Sequence, residues 1–202
     1  MKRLSALLGL LVGISCLAQA DRSILAPSGR SVGTGAKAEI LRTDTHGGTT
    51  MTFLQAGLPN GLELEVMRDD RPNNRKNAVS AQFTILPDTG YTPSAVVGVR
   101  DITNETRRGR GYYAASSYQL PMLPENPFVH DITVFAGLGI DGIDGLFGGL
   151  ELNLIRNLRA RVEYDSRDFN AMLQMSPLKG LYLGVGVIGD RLHYGASMTL
   201  RL

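Results

Sequence analysis

The sequence predicts an all-β protein, an antiparallel up-and-down (meander) transmembrane barrel of about twelve strands. Three observations carry this. Apolar and polar residues alternate with period two in segment after segment, short Gly-, Pro-, Asn- and Asp-bearing stretches separate these segments, and the chain opens on an export signal. No later stretch reaches about 18 consecutive apolar residues, so no membrane-spanning helix is expected beyond that signal.

The signal comes first in the chain. Met1-Lys2-Arg3 is a positive n-region, Leu4 to Leu17 is apolar, and Ala18-Gln19-Ala20 offers the small-x-small pattern of signal peptidase sites. The apolar run is too short for a stable spanning helix. Residues 1–20 are therefore expected to be removed, leaving Asp21 as the mature start. Residues 21–33 are expected as a short periplasmic segment and 34–202 as one barrel domain.

Cleavage changes the charge. Of the 21 Lys and Arg, Lys2 and Arg3 lie in the signal, and none of the 19 Asp and Glu does, so the mature chain carries 19 of each. No basic field remains to attract nucleic acid. The only cysteine, Cys16, also falls in the signal. It has a second reading as a lipidated cysteine, but Gly13 stands where a lipobox carries Leu, and cleavage after Ala20 is favoured.

Strands follow in order. Candidates near Lys37–Thr43, Thr50–Ala56, Ser94–Ile102 and Tyr112–Leu120 are less regular, whereas Leu62–Met67, Val79–Ile85 and Ile132–Leu138 alternate clearly. So do Leu146–Asn153, Leu158–Asp165, Phe169–Ser176, Leu181–Val187 and Arg191–Leu202. Pro59-Asn60-Gly61, Asp165-Ser166-Arg167, Pro177-Leu178-Lys179-Gly180 and Gly189-Asp190 read as turns, and Asp69–Lys76, Asn104–Arg110 and Pro121–Asp131 as longer connections. Tight turns between neighbours imply antiparallel order, because parallel strands need crossovers.

The polar faces decide the setting. They carry Glu63, Glu65, Arg100, Glu151, Arg159, Arg161, Glu163, Asp165, Arg191, His193 and Arg201, with both charge signs interleaved. In an outer-membrane barrel the apolar face meets lipid, and these groups pair across a narrow lumen; on a soluble sheet they are a solvated face. Strands of about nine to eleven residues suit a tilted crossing, and closure leaves no backbone unpaired in lipid. Two observations point the other way: there is no Trp, and the chain ends on Leu202 rather than an aromatic. Seven Tyr and six Phe remain to build interfacial girdles.

Five short elements, in order, resemble YjbH-like proteins, outer-membrane barrels linked to exopolysaccharide production. They are Val97-Gly98-Val99-Arg100-Asp101, then Arg108-Gly109-Arg110-Gly111 with Tyr112 to Tyr118, then Ile132 to Gly139, then Leu146-Phe147-Gly148-Gly149-Leu150-Glu151, and finally Glu163-Tyr164-Asp165. Pro27-Ser28-Gly29 is similar to that family's entry into its first strand. The resemblance implies a non-enzymatic barrel that assists exopolysaccharide production, assembly or export. Its implied partners are outer-membrane lipid, the barrel-assembly machinery, and polysaccharide or polysaccharide-export proteins.

Other chemistry is sparse. HExxH, CxxC and the phosphate-binding GxxxxGK[ST] are absent, so no cofactor is expected. His46, His130 and His193 are scattered. Asp141-Gly142-Ile143-Asp144-Gly145 resembles half a calcium loop without its distal Glu and reads better as a hairpin turn. Arg107, Arg108 and Arg110 form either a solvated loop or a contact for anionic headgroups or an acidic glycan. A passive porin or structural barrel, an outer-membrane enzyme on lipid or glycan, and a soluble secreted β-sandwich are the competing readings. The expected location is the outer membrane of a Gram-negative-type cell.

Overall fold

The computed structural model describes residues 24–28, 34–44, 48–71, 74–89, 91–121, 128–155 and 157–201. The expected signal peptide, Cys16, Asp21 and His46 lie outside them. Twelve strands follow one another: β1 (Gly35–Thr43), β2 (Thr50–Gly57), β3 (Leu62–Arg71), β4 (Asn74–Leu86), β5 (Ser94–Arg100), β6 (Gly111–Pro121), β7 (Val129–Asp141), β8 (Gly145–Leu154), β9 (Leu158–Tyr164), β10 (Phe169–Leu178), β11 (Leu181–Ile188) and β12 (Arg191–Arg201). Each pairs antiparallel with its neighbours in the chain, and β1 closes on β12 from Gly35↔Arg201 to Thr43↔His193. The ring has no free edge, so the ladder pairs the wall's backbone groups internally.

Alternation places side chains as the sequence predicts. In β1, Lys37, Glu39, Leu41 and Thr43 are buried inside, while Ala38 and Ile40 face out. Around the outer surface, Leu54, Leu64, Val134, Leu183 and Val185 are each about 40–55 % exposed. In water, each such side chain would forgo about 1.5–3 kcal/mol of burial. Aromatic rings bracket this apolar band. One rim, which carries Gly35 and Arg201, has Phe83, Tyr91 and Phe128 exposed nearby; the far rim has Tyr112, Phe169 and Tyr194, with Phe169 packed 5.0 Å from Tyr164. That distribution is the inverse of a soluble barrel and fits a lipid-facing wall with two interfacial girdles.

Connections differ from expectation in two places. Asp69–Lys76 is not a long loop, because β3 runs to Arg71 and β4 starts at Asn74, so the pair extends to Asp69↔Lys76 and Arg71↔Asn74. The polar side chains there stabilise the strand ends through ion pairs: Arg71 lies 2.8 Å from Asp69, and Arg68 2.9 Å from Asp70. The expected turn at Pro177 begins later, since β10 continues to Leu178 through an irregularity after Met175. The turn after β7 forms as a hairpin, with Asp141 at φ 62° and Gly145 at φ 85°.

The segment before β1 is not outside the barrel. Ile24–Ser28, expected in the periplasm, lies in the interior, with Ile24 and Ala26 about 1 % exposed. Ile24-Leu25-Ala26-Pro27 carries no charge and no period-two pattern, so it has no polar face to hydrate. A twelve-stranded ring is also wider than its own side chains fill, unlike one of about eight.

Candidate functional site: the barrel lumen

One wall of the lumen is built from amides and carboxylates. The Tyr113 hydroxyl donates to Gln82 Oε1 at 3.0 Å, Gln82 Nε2 donates to Glu63 at 3.2 Å, and Gln55 Nε2 donates to Glu65 at 2.7 Å. These residues come from β2, β3, β4 and β6 at alternate inward positions. Lys37 and Glu39, two apart on β1, pair at 2.9 Å with both side chains buried. On the opposite wall Glu151 of β8 receives Arg161 of β9 at 2.9 Å, and Arg159 lies 3.6 Å away. Arg159 also donates to Asn153 and stacks 4.6 Å over the Tyr182 ring. Paired charges of this kind offset much of the desolvation each would suffer alone.

Between β5 and β8 the filling is apolar. A Cβ on Gly98 would lie 2.3 Å from the Tyr113 ring, and one on Gly137 would lie 2.1 Å from Phe147, so each ring lies against a bare backbone. The two rings meet edge to face at 6.3 Å. Ala26 joins them in one cluster with Val96, Ala115, Phe135 and Ile143.

Glu163 organises the interior end of the N-terminal segment. It is 1 % exposed and accepts three consecutive backbone N–H groups: Ile24 at 2.7 Å, Leu25 at 2.6 Å and Ala26 at 3.2 Å. Asn170 Nδ2 donates to the same carboxylate at 2.9 Å, and Asn170 Oδ1 accepts Gly189 N–H. Ile24 packs with Leu41, Phe53 and Met172, against Met51, Met67 and Ile188 near the far rim. Leu25 and Pro27 border a cavity of about 40 Å³ with Glu63, Glu65, Arg100 and Tyr113, room for a few waters only.

The far mouth is covered on one side by the loop after β5. Asp101, fully buried with φ 52°, accepts Thr103 Oγ1, Glu105 N–H, Thr106 N–H and Thr106 Oγ1. Burial pushes its carboxyl up, but these bonds outweigh it and hold the pKa below the usual carboxylate value. From this loop Arg108 reaches Asp165 at 3.0 Å and Asp168 at 3.5 Å, in the turn between β9 and β10. Asp165 is likewise lowered: burial opposes, while the Asp168 N–H and the Arg108 charge prevail. Ile143, from the turn after β7, tucks under the loop.

The eleven expected lumen charges thus separate. Glu151, Arg159 and Arg161 meet in one cluster. Glu63 and Glu65 join the amide wall, and Arg100 borders the same cavity. Glu163 holds the N-terminal segment, with Asn170 on the same carboxylate. Two placements correct the expectation of a single network: Asp165 lies beyond the end of β9 and pairs at the mouth, and the Arg191 side chain is 58 % exposed, 3.6 Å from Asp190. Both sit where alternation has run into a turn, so parity no longer aims them inward. His193 is buried on the inner face, His130 is exposed, and Arg201 ends β12 opposite Gly35.

Residues that sequence reasoning missed include Tyr113, Phe147, Gln55, Gln82 and Asn170; the charge-free run at Ile24 was the one readable signal of an interior segment. Among the described residues, no three His, Cys, Asp or Glu side chains converge in a group suited to a metal ion. Gly29-Arg30-Ser31-Val32-Gly33 spells G-x-S-x-G but lies outside the described residues. β1 follows it at Gly35, where a nucleophile elbow needs a helix.

The fold is similar to solved porin structures. A structure titled "KdgM porin" matches with a TM-score of 0.55 at 13 % identity, covering 82 % of this chain and 99 % of that one. "KdgM porin in complex with disordered oligogalacturonate" matches at 0.53 and 13 %, covering 82 % and 99 %. A NanC porin in a rhombohedral crystal form matches at 0.51 and 12 %, covering 83 % and 100 %. No family model and no curated protein matches the chain. These neighbours overturn the YjbH-like resemblance. Its motifs turn out to be general barrel features: Gly98 and Gly137 make room for rings, and Gly109 takes positive φ in a turn at 74°. Any barrel with these needs would carry them. What the chain shares with the porins is the closed antiparallel fold.

Proposed function

We propose that this protein is a passive outer-membrane channel of the porin type for small hydrophilic solutes, with saccharides as the candidate cargo. The observation that carries this is the inversion of the barrel: an apolar band with an aromatic girdle at each end outside, and paired charges, amides and hydroxyls inside. Similarity to porin structures supports the same reading, and the oligogalacturonate in one of their titles suggests the cargo class. Acidic and basic groups mix in the lumen, as in Glu63, Glu65 and Glu151 beside Arg100, Arg159 and Arg161. Selectivity between anionic and neutral sugars is therefore expected to be weak. The exopolysaccharide role followed from the resemblance and loses its basis with it; the passive channel takes its place. Export through a cleaved N-terminal signal and residence in the outer membrane of a Gram-negative-type cell belong to this reading.

The test has two parts. The protein is expected to fractionate with the outer membrane and to migrate differently on gels before and after boiling. Reconstituted into liposomes, it is expected to pass small sugars. A periplasmic, heat-insensitive protein would defeat the proposal.

A further inference from the structure

We infer that Ile24–Ser28 is a removable occupant of the lumen, latched by Glu163, and that its withdrawal opens the solute path. This rests on the channel reading above and adds its regulation.

The segment is attached differently from everything around it. Each wall strand is fixed by continuous ladders on both sides, such as the pairs from Gly111↔Asp141 to Pro121↔Asp131 between β6 and β7. Within Ile24–Ser28 only Pro27 makes a β-bridge. Ile24, Leu25 and Ala26 are held through their N–H groups by one carboxylate, and Ile24 also by apolar contacts. Displacing it breaks no wall ladder.

Its position also matters. The loop after β5, tied by Arg108 to Asp165, covers the mouth over β5 to β9. Ile24 occupies the other side, against Leu41, Phe53, Met67 and Met172 of β1, β2, β3 and β10. Withdrawal therefore clears the side away from the loop that Arg108 ties down. The space left would be bordered by Glu163 and Asn170 beside Leu41, Phe53 and Met172, and water or sugar hydroxyls can satisfy the carboxylate, so the open state leaves no buried carboxylate stranded.

Current through planar lipid bilayers tests this on the full mature chain. Glu163→Gln replaces a charge-assisted latch with a neutral one, and conductance is expected to rise about tenfold or more above wild type. A second variant pairs Ala26→Cys with Ala115→Cys, which share one apolar cluster. A chain starting at Asp21 has no other cysteine. Bridged by a short reducible thiol crosslinker, this variant is expected to stay closed and to open on reduction. Equal current in wild type, Glu163→Gln and bridged protein would overturn the latch while leaving the channel intact. No current from any of them, in barrels that still show the heat-dependent gel shift, would overturn the channel reading itself. If Glu163→Gln does not assemble, the crosslink decides alone.

Discussion

The two sides of the lumen are filled by different means. Between β5 and β8, Tyr113 and Phe147 lie against glycines of the adjacent wall, under a loop pinned by Asp101 and Arg108. Between β9 and β3, through the closing seam, the wall mixes polar groups such as Glu163 and Asn170 with Leu41, Phe53 and Met172, and a separate piece of chain fills the space. The first filling is part of the wall and moves only if the wall moves. The second is a ligand that the protein carries with it. A barrel of this size can thus be sealed permanently on one side and reversibly on the other.

The largest effect should come from breaking the permanent side. Gly137→Leu drives side-chain atoms into the Phe147 ring, and overpacking of this kind is expected to cost about 3 kcal/mol or more. The heat-modifiable fraction after refolding is the readout, and near-wild-type assembly would mean the rings are not fixed. Next is the charged wall. Arg161→Met leaves Glu151 buried with its main partner gone, a loss of about 3 kcal/mol. Adding Glu151→Leu should recover most of it in denaturant titrations, separating an ion pair from mere packing.

Smaller effects sharpen the reversible side. Glu163→Gln should lower stability by only about 2 kcal/mol while raising conductance, because the wall ladders remain. A stability loss with no change in current would place the segment among the permanent fillings. Smallest is Asp101→Asn, at about 1 kcal/mol, felt in the loop rather than the barrel. Its pH dependence has a definite sign. The folded carboxyl titrates below the ordinary value, so its contribution is present above an unfolded pKa of about 3.9 and is lost as pH falls through the folded value. Protection of the Glu105 and Thr106 amides, relative to their intrinsic exchange, should therefore fall in wild type under acid, whereas in Asp101→Asn it should be low at every pH.

Much of this was legible from residues alone, for a physical reason. Period-two alternation is a property of each strand by itself, so Leu181–Val187 and Leu158–Tyr164 declared both their existence and their faces. The inward aim of Arg159, Arg161 and Glu163 followed from the same parity. Parity failed for Asp165 and Arg191, where strand gave way to turn. The family resemblance failed because glycine motifs answer to ring packing and turns that many barrels share.

What the sequence by itself determined is therefore the local grammar: strands, turns, and which face of each is polar. The tertiary structure alone decided closure of β1 on β12, the meeting of Arg161 with Glu151 but of Glu163 with a backbone, and the path of Ile24–Ser28 through the interior. Those depend on register between strands and on the width of the ring. No single segment encodes either, because both arise only when all twelve strands are paired.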